Sequence, residues 1–325
     1  MIHATIPKGA AVALLVAVAA VPRIVEYPLP RASAFPHDPA VGRDGIVWYT
    51  DQSNSYIGRL DPATGTVLDY ATPTPASGPH GIIVAPDGAV WYTANSGGRI
   101  GRVDPATGAI TEYVLPPAAS DPHTLLHHDG KIWFTVQRAN LYGSLDPITR
   151  QTRTFPIPTK AARPYGLVVG PEGGLWMALF GTAAIGRINP SDGGLRLFTL
   201  PAPAARPRRL VVDAQGIVWY TDYARGQLGR LDPASGTVRE FPSPGGADSG
   251  PYAIAIAPDS RIWYSEGKKD ALVVFDPATS RSETVAIPTP GAVVRNMSVD
   301  STRGRLWLAL SGTQRLGMID LNPVR

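Results

Sequence analysis

The seven tryptophans of this chain are its most constraining feature, because they recur at a nearly constant interval. Successive tryptophans are separated by 43, 42, 43, 43, 44 and 44 residues. They are Trp48, Trp91, Trp133, Trp176, Trp219, Trp263 and Trp307. A fixed period of this length is typical of repeat architectures, in which each unit buries an apolar face against its neighbours. The chain is therefore expected to fold as an array of seven similar units.

One unit, residues 78–116, contains four short strand signals separated by Gly, Pro and Asp turns. The four segments are Gly81–Ala85, Ala89–Thr93, Arg99–Val103 and Ile110–Leu115. No stretch of the unit has helical spacing over ten or more residues. Four antiparallel strands in each period are typical of a propeller blade. The sequence therefore predicts an all-β fold, a seven-bladed β-propeller of four-stranded antiparallel blades.

The two ends of the chain indicate how the ring closes. Ile24–Pro30 resembles the fourth-strand segment Ile110–Pro116 but precedes the first blade, and Arg315–Asp320 resembles a third strand and then the repeat stops. We therefore expect the N-terminal strand to complete the last blade, which leaves no open sheet edge. We expect the tryptophans to pack between blades, where truncation of each to Ala would cost roughly 3–5 kcal/mol.

The N-terminus has the pattern of a secretory signal. Lys8 precedes the apolar run Ala10–Val21, which includes a small-residue cleavage site at Ala17–Ala19. The run is shorter than the ~20 residues that span a bilayer, although an uncleaved membrane tether is an alternative. We predict a signal peptide over residues 1–21 and a single propeller domain over residues 22–325. The expected product is exported (periplasmic or secreted), without stable membrane insertion after cleavage, and monomeric, because a closed ring needs no partner.

The charge pattern argues against nucleic acid as a partner. The net charge is +4, and charged residues make up only 17% of the chain. Much of the arginine content repeats once per unit in the third strand, at Arg59, Arg102, Arg187 and Arg230. Such an even distribution around a ring makes no basic stripe with interleaved aromatic residues. The absence of cysteine excludes disulfides and thiolate sites.

Two positions per blade are predicted to converge on one face of the ring near the central channel. The first follows the residue that opens each inner strand, and it is occupied by His37, His80, His123, Tyr165, Arg208, Tyr252 and Arg295. The second lies just past each tryptophan strand, and it is occupied by Asp51, Ala94, Val136, Leu179, Asp222, Glu266 and Leu310. The residue types at these two positions differ from blade to blade, whereas the residues around them repeat. A funnel lined by His, Tyr and Arg could bind a metal, an anion or a polar ligand.

Structural roles for the same residues are equally open at this point. Asp51 and Asp222 could accept hydrogen bonds from loop amides, and a histidine beside a proline could do no more than hold its loop. The pair His127 and His128 precedes a turn on the opposite face, so we expect it at the surface. The clustered Arg206, Arg208 and Arg209 could contact an anion or be solvated.

The repeated words Gly-Pro-His-Gly-Ile, Trp-Tyr-Thr, Ile-Gly-Arg and Ile-Thr-Glu-Tyr resemble those of the virginiamycin B lyases, also called streptogramin B lyases. The resemblance covers residues 24–320. It implies a Mg²⁺-dependent enzyme that opens a cyclic depsipeptide by β-elimination, with a histidine as base and carboxylates holding the metal. Such a division of labour is reasonable because a Lewis acid makes the enolate-like charge tolerable.

The resemblance also implies roles for individual residues. The family uses Pro-His in two neighbouring blades, and the matching words here are Gly78–His80 and Asp121–His123. By resemblance, His123 is the base, His80 contacts substrate, and Asp121 and Gln137 hold Mg²⁺. The family has a carboxylate where this chain has Gln137. It also places the pair in its final blades, whereas the last blade here carries Arg295.

Three functions from different classes remain open from the sequence. The first is a carbon–oxygen lyase of the family type, with a small molecule or cyclic peptide as ligand. The second is an exported, non-enzymatic propeller that binds a polar ligand or protein through His37, Tyr165, Arg208, Tyr252 and Arg295. The third is a metal-dependent lactonase or esterase that uses Asp51, Asp222 or Glu266.

Overall fold

Residues 23–322, which the computed structural model describes, form seven four-stranded antiparallel sheets. The seven-bladed propeller expected from the tryptophan period is confirmed. Within these residues the only helical elements are two 3₁₀ turns, Pro117–Ala119 and Ser311–Thr313. No helix in the same range is long and apolar enough to cross a membrane. The predicted signal, residues 1–21, lies outside the described residues.

Each blade uses four strands, which are consecutive in the chain except in the last blade. In chain order the strands are β1 Ile24–Pro28, β2 Pro36–Val41, β3 Val47–Asp51, β4 Tyr56–Asp61, β5 Thr66–Ala71, β6 Pro79–Val84, β7 Val90–Ala94, β8 Arg99–Val103, β9 Ile110–Val114, β10 Pro122–His128, β11 Lys131–Val136, β12 Leu141–Leu145, β13 Thr152–Pro156, β14 Pro164–Val169, β15 Leu175–Leu179, β16 Ala184–Ile188, β17 Leu195–Thr199, β18 Pro207–Val212, β19 Val218–Asp222, β20 Gln227–Leu231, β21 Val238–Pro242, β22 Pro251–Ile256, β23 Ile262–Glu266, β24 Ala271–Asp276, β25 Arg281–Ala286, β26 Val294–Asp300, β27 Arg305–Leu310 and β28 Arg315–Asp320. Blade 1 begins at β2, and blade 7 comprises β26–β28 and β1.

The N-terminal strand closes the ring as expected from its sequence. β1 pairs antiparallel with β28, in a register that runs from Ile24 opposite Ile319 to Pro28 opposite Arg315. The Glu26 carboxylate accepts a hydrogen bond from the Thr289 amide at 3.2 Å, so the strand is also tied to the preceding loop. Closure pairs the strand edge that blade 7 would otherwise expose.

Tryptophans pack between the blades, and inside the sheets of blades 1, 2 and 5 a tyrosine ring lies over a glycine of the third strand. Trp48 of blade 1 packs with Ile82 and Val90 of blade 2, as predicted for an inter-blade residue. Inside blade 2 the Tyr92 ring lies over Gly101, where an added Cβ would come within 2.0 Å of the tyrosine Cζ. Packing this close leaves no room for a side chain. The contact explains why glycine recurs in the third-strand word Ile-Gly-Arg.

A register shift near the start of each inner strand positions the residues at the channel. In blade 2, Pro79 pairs with Ala94, and Ile82 is the next paired residue, opposite Tyr92. The residues between them have no ladder partner on β7, and a threonine hydroxyl substitutes for it. Thr93 Oγ1 accepts a hydrogen bond from the Gly81 amide at 2.8 Å and donates one to the His123 carbonyl of blade 3 at 2.7 Å. Equivalent bridges start from Thr50, Thr135, Thr221 and Ser265.

Candidate functional site

One end of the central channel is closed by seven side chains, one from each blade. We call this set the channel mouth; it consists of His37, His80, His123, Tyr165, Arg208, Tyr252 and Arg295. Four rings from blades 1–4 pack in sequence with their planes tilted by 41–57°, and their centroids are separated by 3.8 Å between His37 and His80, 3.7 Å between His80 and His123, and 4.0 Å between His123 and Tyr165. The three histidines are only 3–4% exposed. The structure therefore brings together all seven residues singled out at this position in the sequence.

The other side of the channel mouth is built from tyrosine and arginine. The hydroxyls of Tyr165 and Tyr252 are 2.5 Å apart, and Arg208 Nη2 donates to the Tyr165 hydroxyl at 3.2 Å. The Arg208 guanidinium also lies 3.7 Å from the centre of the Tyr252 ring. The Arg295 guanidinium lies 5.0 Å from the centre of the Phe35 ring. Half of the mouth is thus imidazole and half is phenol and guanidinium.

A second layer of polar residues lies behind the channel mouth. Arg209 Nη2 of blade 5 donates to Asp38 Oδ1 of blade 1 at 2.7 Å, which joins two inner strands across the channel. The same carboxylate oxygen is 2.8 Å from His37 Nδ1. Beyond this pair the channel widens into a cavity of about 430 Å³, lined largely by aliphatic side chains of the inner strands such as Val84 and Val211.

The three histidines of the channel mouth are held in the neutral form. Burial lowers the pKa of His37, His80 and His123 well below the usual value of 6.5, and the nearby guanidiniums of Arg208 and Arg209 lower it further. His123 Nδ1 is 3.1 Å from Thr124 Oγ1. A neutral imidazole can accept a proton or ligate a metal, so these rings are available for either role at physiological pH.

The phenols and the buried carboxylate respond to the same surroundings. Burial raises the pKa of Tyr165 above its usual value. Burial acts in the same direction on Tyr252, but Arg208 and Arg209 outweigh it and lower the pKa of Tyr252. Burial also raises the pKa of Asp38 to about 6 despite Arg209, so its carboxylate remains ionised at neutral pH. The local potential therefore favours negative charge at this end of the channel.

The two residues implied as metal ligands, Asp121 and Gln137, lie in blade 3 beside the start and the end of its first hairpin. Asp121 is 5% exposed, and its Oδ2 accepts a hydrogen bond from the Arg138 amide at 2.6 Å. Its Oδ1 is buried without a hydrogen-bond partner. Gln137 is half-buried, directly after β11. An orphaned carboxylate oxygen fits a cation, which would obtain a single negative charge from this pair of residues.

Another group of potential ligands lies in the channel itself. One atom each from His37, Asp38 and His80 falls within 4.8 Å of the others. However, the Asp38 carboxylate is already paired with Arg209 at 2.7 Å. A cation at this place would have to compete with the Arg209 guanidinium for the Asp38 carboxylate. The guanidinium therefore supplies the positive charge that a metal ion would otherwise supply.

The carboxylates at the second predicted position hold loops. Asp51 accepts a hydrogen bond from the Phe35 amide at 2.9 Å, Asp222 from the Arg206 amide at 3.0 Å, and Glu266 from the Gly245 amide at 2.6 Å. All three are at most 2% exposed. This geometry agrees with the structural interpretation of Asp51 and Asp222, and it leaves the lactonase or esterase hypothesis without a free carboxylate among these three.

The clustered arginines separate in the structure, and the paired histidines lie elsewhere. Arg206 donates to the carbonyl of Pro203 at 3.0 Å, whereas Arg208 and Arg209 enter the first and second layers of the channel. His127 and His128 are half-buried near the turn between β10 and β11, on the face away from the channel mouth.

Three residues near the mouth, Phe180, Tyr223 and Asp38, were not identified from the sequence. Phe180 and Tyr223 each follow the second strand of their blade, and both pack against Arg208, whose guanidinium is 4.9 and 4.4 Å from their ring centres. Asp38 follows a mouth residue, at a position where Gly81, Gly166 or Ala253 stands in other blades; its partner Arg209, at the same position in blade 5, was singled out in the arginine cluster. A polar residue at a position that holds Gly or Ala in other blades was the sequence signal that could have identified Asp38.

Comparison with known proteins shows the relatives of this chain. A sequence model described as the Virginiamycin B lyase family matches residues 8–247 and 150–323. No curated protein matches the chain.

Three solved structures share its fold along nearly the whole chain. Virginiamycin B lyase from Staphylococcus aureus is 26% identical, with a TM-score of 0.86, and the match covers 93% of this chain and 100% of that one. A streptogramin B lyase structure is 25% identical with the same TM-score, and the match covers 93% and 98% of the two chains. A catalytically inactive histidine-to-alanine variant of the S. aureus enzyme, solved with quinupristin, is 25% identical with a TM-score of 0.86 and coverage of 93% and 100%.

Proposed function

Because the chain belongs to the virginiamycin B lyase family, we propose that the residues of its channel mouth catalyse β-elimination, which cleaves the ester bond of a cyclic depsipeptide or of a related ester. The observation that carries this proposal is the packing of His80 against His123, two neutral imidazoles whose ring centroids are 3.7 Å apart at the start of neighbouring inner strands. The loss of activity in the histidine-to-alanine relative supports a histidine as an essential group of that enzyme.

In the proposed reaction His123 is the general base. His123 Nδ1 is hydrogen-bonded to Thr124 Oγ1 at 3.1 Å; in the tautomer that carries its proton on Nδ1, the lone pair of Nε2 would remove a proton from the carbon α to a carbonyl. The electron pair of that bond forms the carbon–carbon double bond. The carbon–oxygen bond on the alcohol side of the ester breaks, and the former ester leaves as a carboxylate. No water is consumed.

The neighbouring rings would bind and orient the substrate. His80 and His37 continue the row of packed rings from His123, and Tyr165 covers its other side at 4.0 Å. These side chains pack against one another, and hydroxyls of the second strands donate to the backbone carbonyls of His80, His123 and Tyr165. We propose His80, His37, Tyr165 and Tyr252 as substrate contacts, because rigid side chains position a reacting atom more accurately than mobile ones.

Mg²⁺ is the metal that the family resemblance implies, and Asp121 and Gln137 would hold it. The buried, unpartnered Oδ1 of Asp121 is the ligand atom that fits this role best. When bound, the metal would supply a Lewis acid that stabilises negative charge on the substrate carbonyl. The protein itself positions His123, the rings packed beside it and the threonine hydrogen bonds, without a contribution from the metal.

The experiment is turnover of quinupristin by the wild type, His123→Ala and the control His128→Ala. We expect His123→Ala to lose activity while it still folds with a cooperative unfolding transition, and His128→Ala to retain activity, because His128 lies on the opposite face. Inhibition by EDTA should be reversed by Mg²⁺. Wild-type turnover in His123→Ala would remove this residue from the mechanism, and binding of quinupristin without any turnover would favour a non-enzymatic binding protein.

We also propose that the protein is exported as a monomer, as the run Ala10–Val21 and the closed ring suggest. The intact mass of the protein recovered from a bacterial host would show whether residues 1–21 are removed. Light scattering would give the oligomeric state. A full-length chain in the membrane fraction would favour a tether instead.

A further inference from the structure

Two arginines of the channel mouth lack the acidic partners that comparable arginines have. Five arginines have a buried Nε without a hydrogen-bond partner within residues 23–322: Arg31, Arg208, Arg209, Arg295 and Arg315. Arg31, Arg209 and Arg315 each lie within 4.0 Å of a carboxylate. In the same described range, Arg208 and Arg295 lie in no ion pair. Burial of a charged group without a partner is costly, so such a group in a polar cleft indicates a site for an opposite charge.

The two arginines flank one tyrosine at the same end of the channel. They come from blades 5 and 7, and Tyr252 comes from blade 6 between them. Both are half-buried, whereas Tyr252 is 3% exposed, so each combines a buried Nε with some access to solvent. Aromatic rings surround the guanidiniums: Tyr223 lies beside Arg208 at 4.4 Å and Phe35 beside Arg295 at 5.0 Å.

No carboxylate of residues 23–322 lies within ion-pair distance of this pair, and Asp222 and Asp38 pair with Arg225 and Arg209 instead. Asp222 and Glu266, from the second strands of blades 5 and 6, accept hydrogen bonds from the amides of Arg206 and Gly245. Asp38 is engaged by Arg209. Arg208 and Arg209 lower the pKa of Tyr252 although burial acts to raise it, and Arg295 lowers it further. The pKa of His37 is lowered chiefly by burial and further by Arg209, Arg295 and Arg208. The imidazole half of the mouth is neutral, so the excess charge lies on the side of blades 5–7.

We propose that Arg208 and Arg295 form a carboxylate-binding subsite, placed to hold the acid that the elimination releases from the ester. The role as a leaving-group subsite rests on the proposed function, whereas the binding of a carboxylate does not. Guanidinium groups recognise carboxylates by charge-assisted hydrogen bonds, and the flanking rings would pack against an apolar or aromatic body attached to the acid.

The test measures binding without turnover. Ligand-observed NMR titrations would compare phenylacetate with its neutral isostere phenylacetamide, in the wild type, Arg208→Met, Arg295→Met and the control Arg230→Met. Arg230 lies 6.0 Å over the Trp219 ring in a third strand, away from the channel, and its loss changes the net charge equally. Far-UV circular dichroism and the unfolding transition would show that each variant folds, and Arg208→Gln, which also removes the charge, would replace Arg208→Met if the latter does not.

We expect phenylacetate to bind the wild type at least ten-fold more tightly than phenylacetamide, and each mouth variant to lose about ten-fold, as for one charge-assisted hydrogen bond. Arg230→Met should bind like the wild type. Competition by inorganic phosphate would show that the subsite reads charge alone, and failure of phosphate to compete would restrict it to carboxylates; both agree with the proposal. Equal affinity for acid and amide, no binding of either, or unchanged binding in both variants would overturn it. Quinupristin turnover could fail independently of these results.

Discussion

Arg209 and Asp38 form a buried ion pair across the central channel, with 2.7 Å between Nη2 and Oδ1, although 171 residues separate them in the chain. Their side chains are 7% and 3% exposed. The pair joins blade 5 to blade 1, and it closes the channel directly behind the packed histidines. The ion pair therefore forms the layer of side chains directly beneath the channel mouth.

Breaking one side of this pair should be much worse than removing both. We expect Asp38→Asn or Arg209→Met alone to lower the free energy of unfolding by about 3–5 kcal/mol, because each leaves a buried charge without its partner. The double variant should recover a large part of that loss. Urea unfolding of the four proteins gives the coupling energy. Strictly additive single losses would show that the two side chains do not interact.

Replacement of the bridging hydroxyl in blade 2 should loosen the channel mouth. Thr93→Val would leave the Gly81 amide and the His123 carbonyl without their hydroxyl partner in a fully buried place, at a cost of about 1–3 kcal/mol. Thr93→Ser keeps the hydroxyl and should be close to the wild type. Urea unfolding measures the difference. A valine variant as stable as the serine variant would rule out this role.

The tyrosine–glycine contact should tolerate no side chain. In Gly101→Ala the new Cβ would meet Tyr92, whose hydroxyl is anchored to Glu112 at 3.0 Å, so we expect a loss of about 1–3 kcal/mol. The matched control is Gly317→Ala in blade 7, where the nearest atom is a flexible methyl of Leu308 at 3.2 Å. Thermal unfolding compares the two. Similar melting temperatures would contradict the packing argument.

The buried histidines predict that acid destabilises the fold. The pKa of His80 is far below 6.5 in the folded protein because of burial, so below pH 6.5 the unfolded chain binds a proton that the folded protein does not. Stability should therefore fall with falling pH, by about 1.4 kcal/mol per pH unit for each such imidazole. Asp38 acts in the opposite direction, because its raised pKa of about 6 lets the folded protein take up a proton first.

His80→Phe isolates this effect, since the contributions of Asp38 and of the other histidines largely cancel in the comparison. Between pH 7.5 and pH 5.5 we expect the wild type to lose about 1 kcal/mol more stability than the variant, measured by urea unfolding at both values. Equal losses in the two proteins would mean that His80 is protonated in the folded state.

The architecture could be predicted from the sequence because the pattern of one blade occurs seven times in the chain. The tryptophan period, the Pro-Asp-Gly turns and the displaced segment at Ile24–Pro30 each predicted an element that the structure contains. The convergence of residues such as His80 and His123 also followed, since every inner strand begins at the same end of the channel.

The chemistry of the mouth was less accessible, because it depends on contacts between blades that no repeat encodes. Arg209 and Asp38 lie in distant segments of the sequence. They meet only because the channel is narrow enough for their side chains to reach across it. The orphaned Nε of Arg208 likewise depends on where each nearby carboxylate is already engaged. Periodicity predicts positions, whereas satisfaction of buried charges is a property of the assembled ring.

Product mass from quinupristin tests the central claim most directly. Wild-type protein incubated with quinupristin and Mg²⁺ in ¹⁸O-labelled water should yield a linear product of unchanged mass, with an unsaturated residue and no ¹⁸O, because elimination consumes no water. His123→Ala should yield none. A product heavier by one water molecule, with ¹⁸O in its new carboxylate, would contradict elimination and would assign the channel mouth to ester hydrolysis.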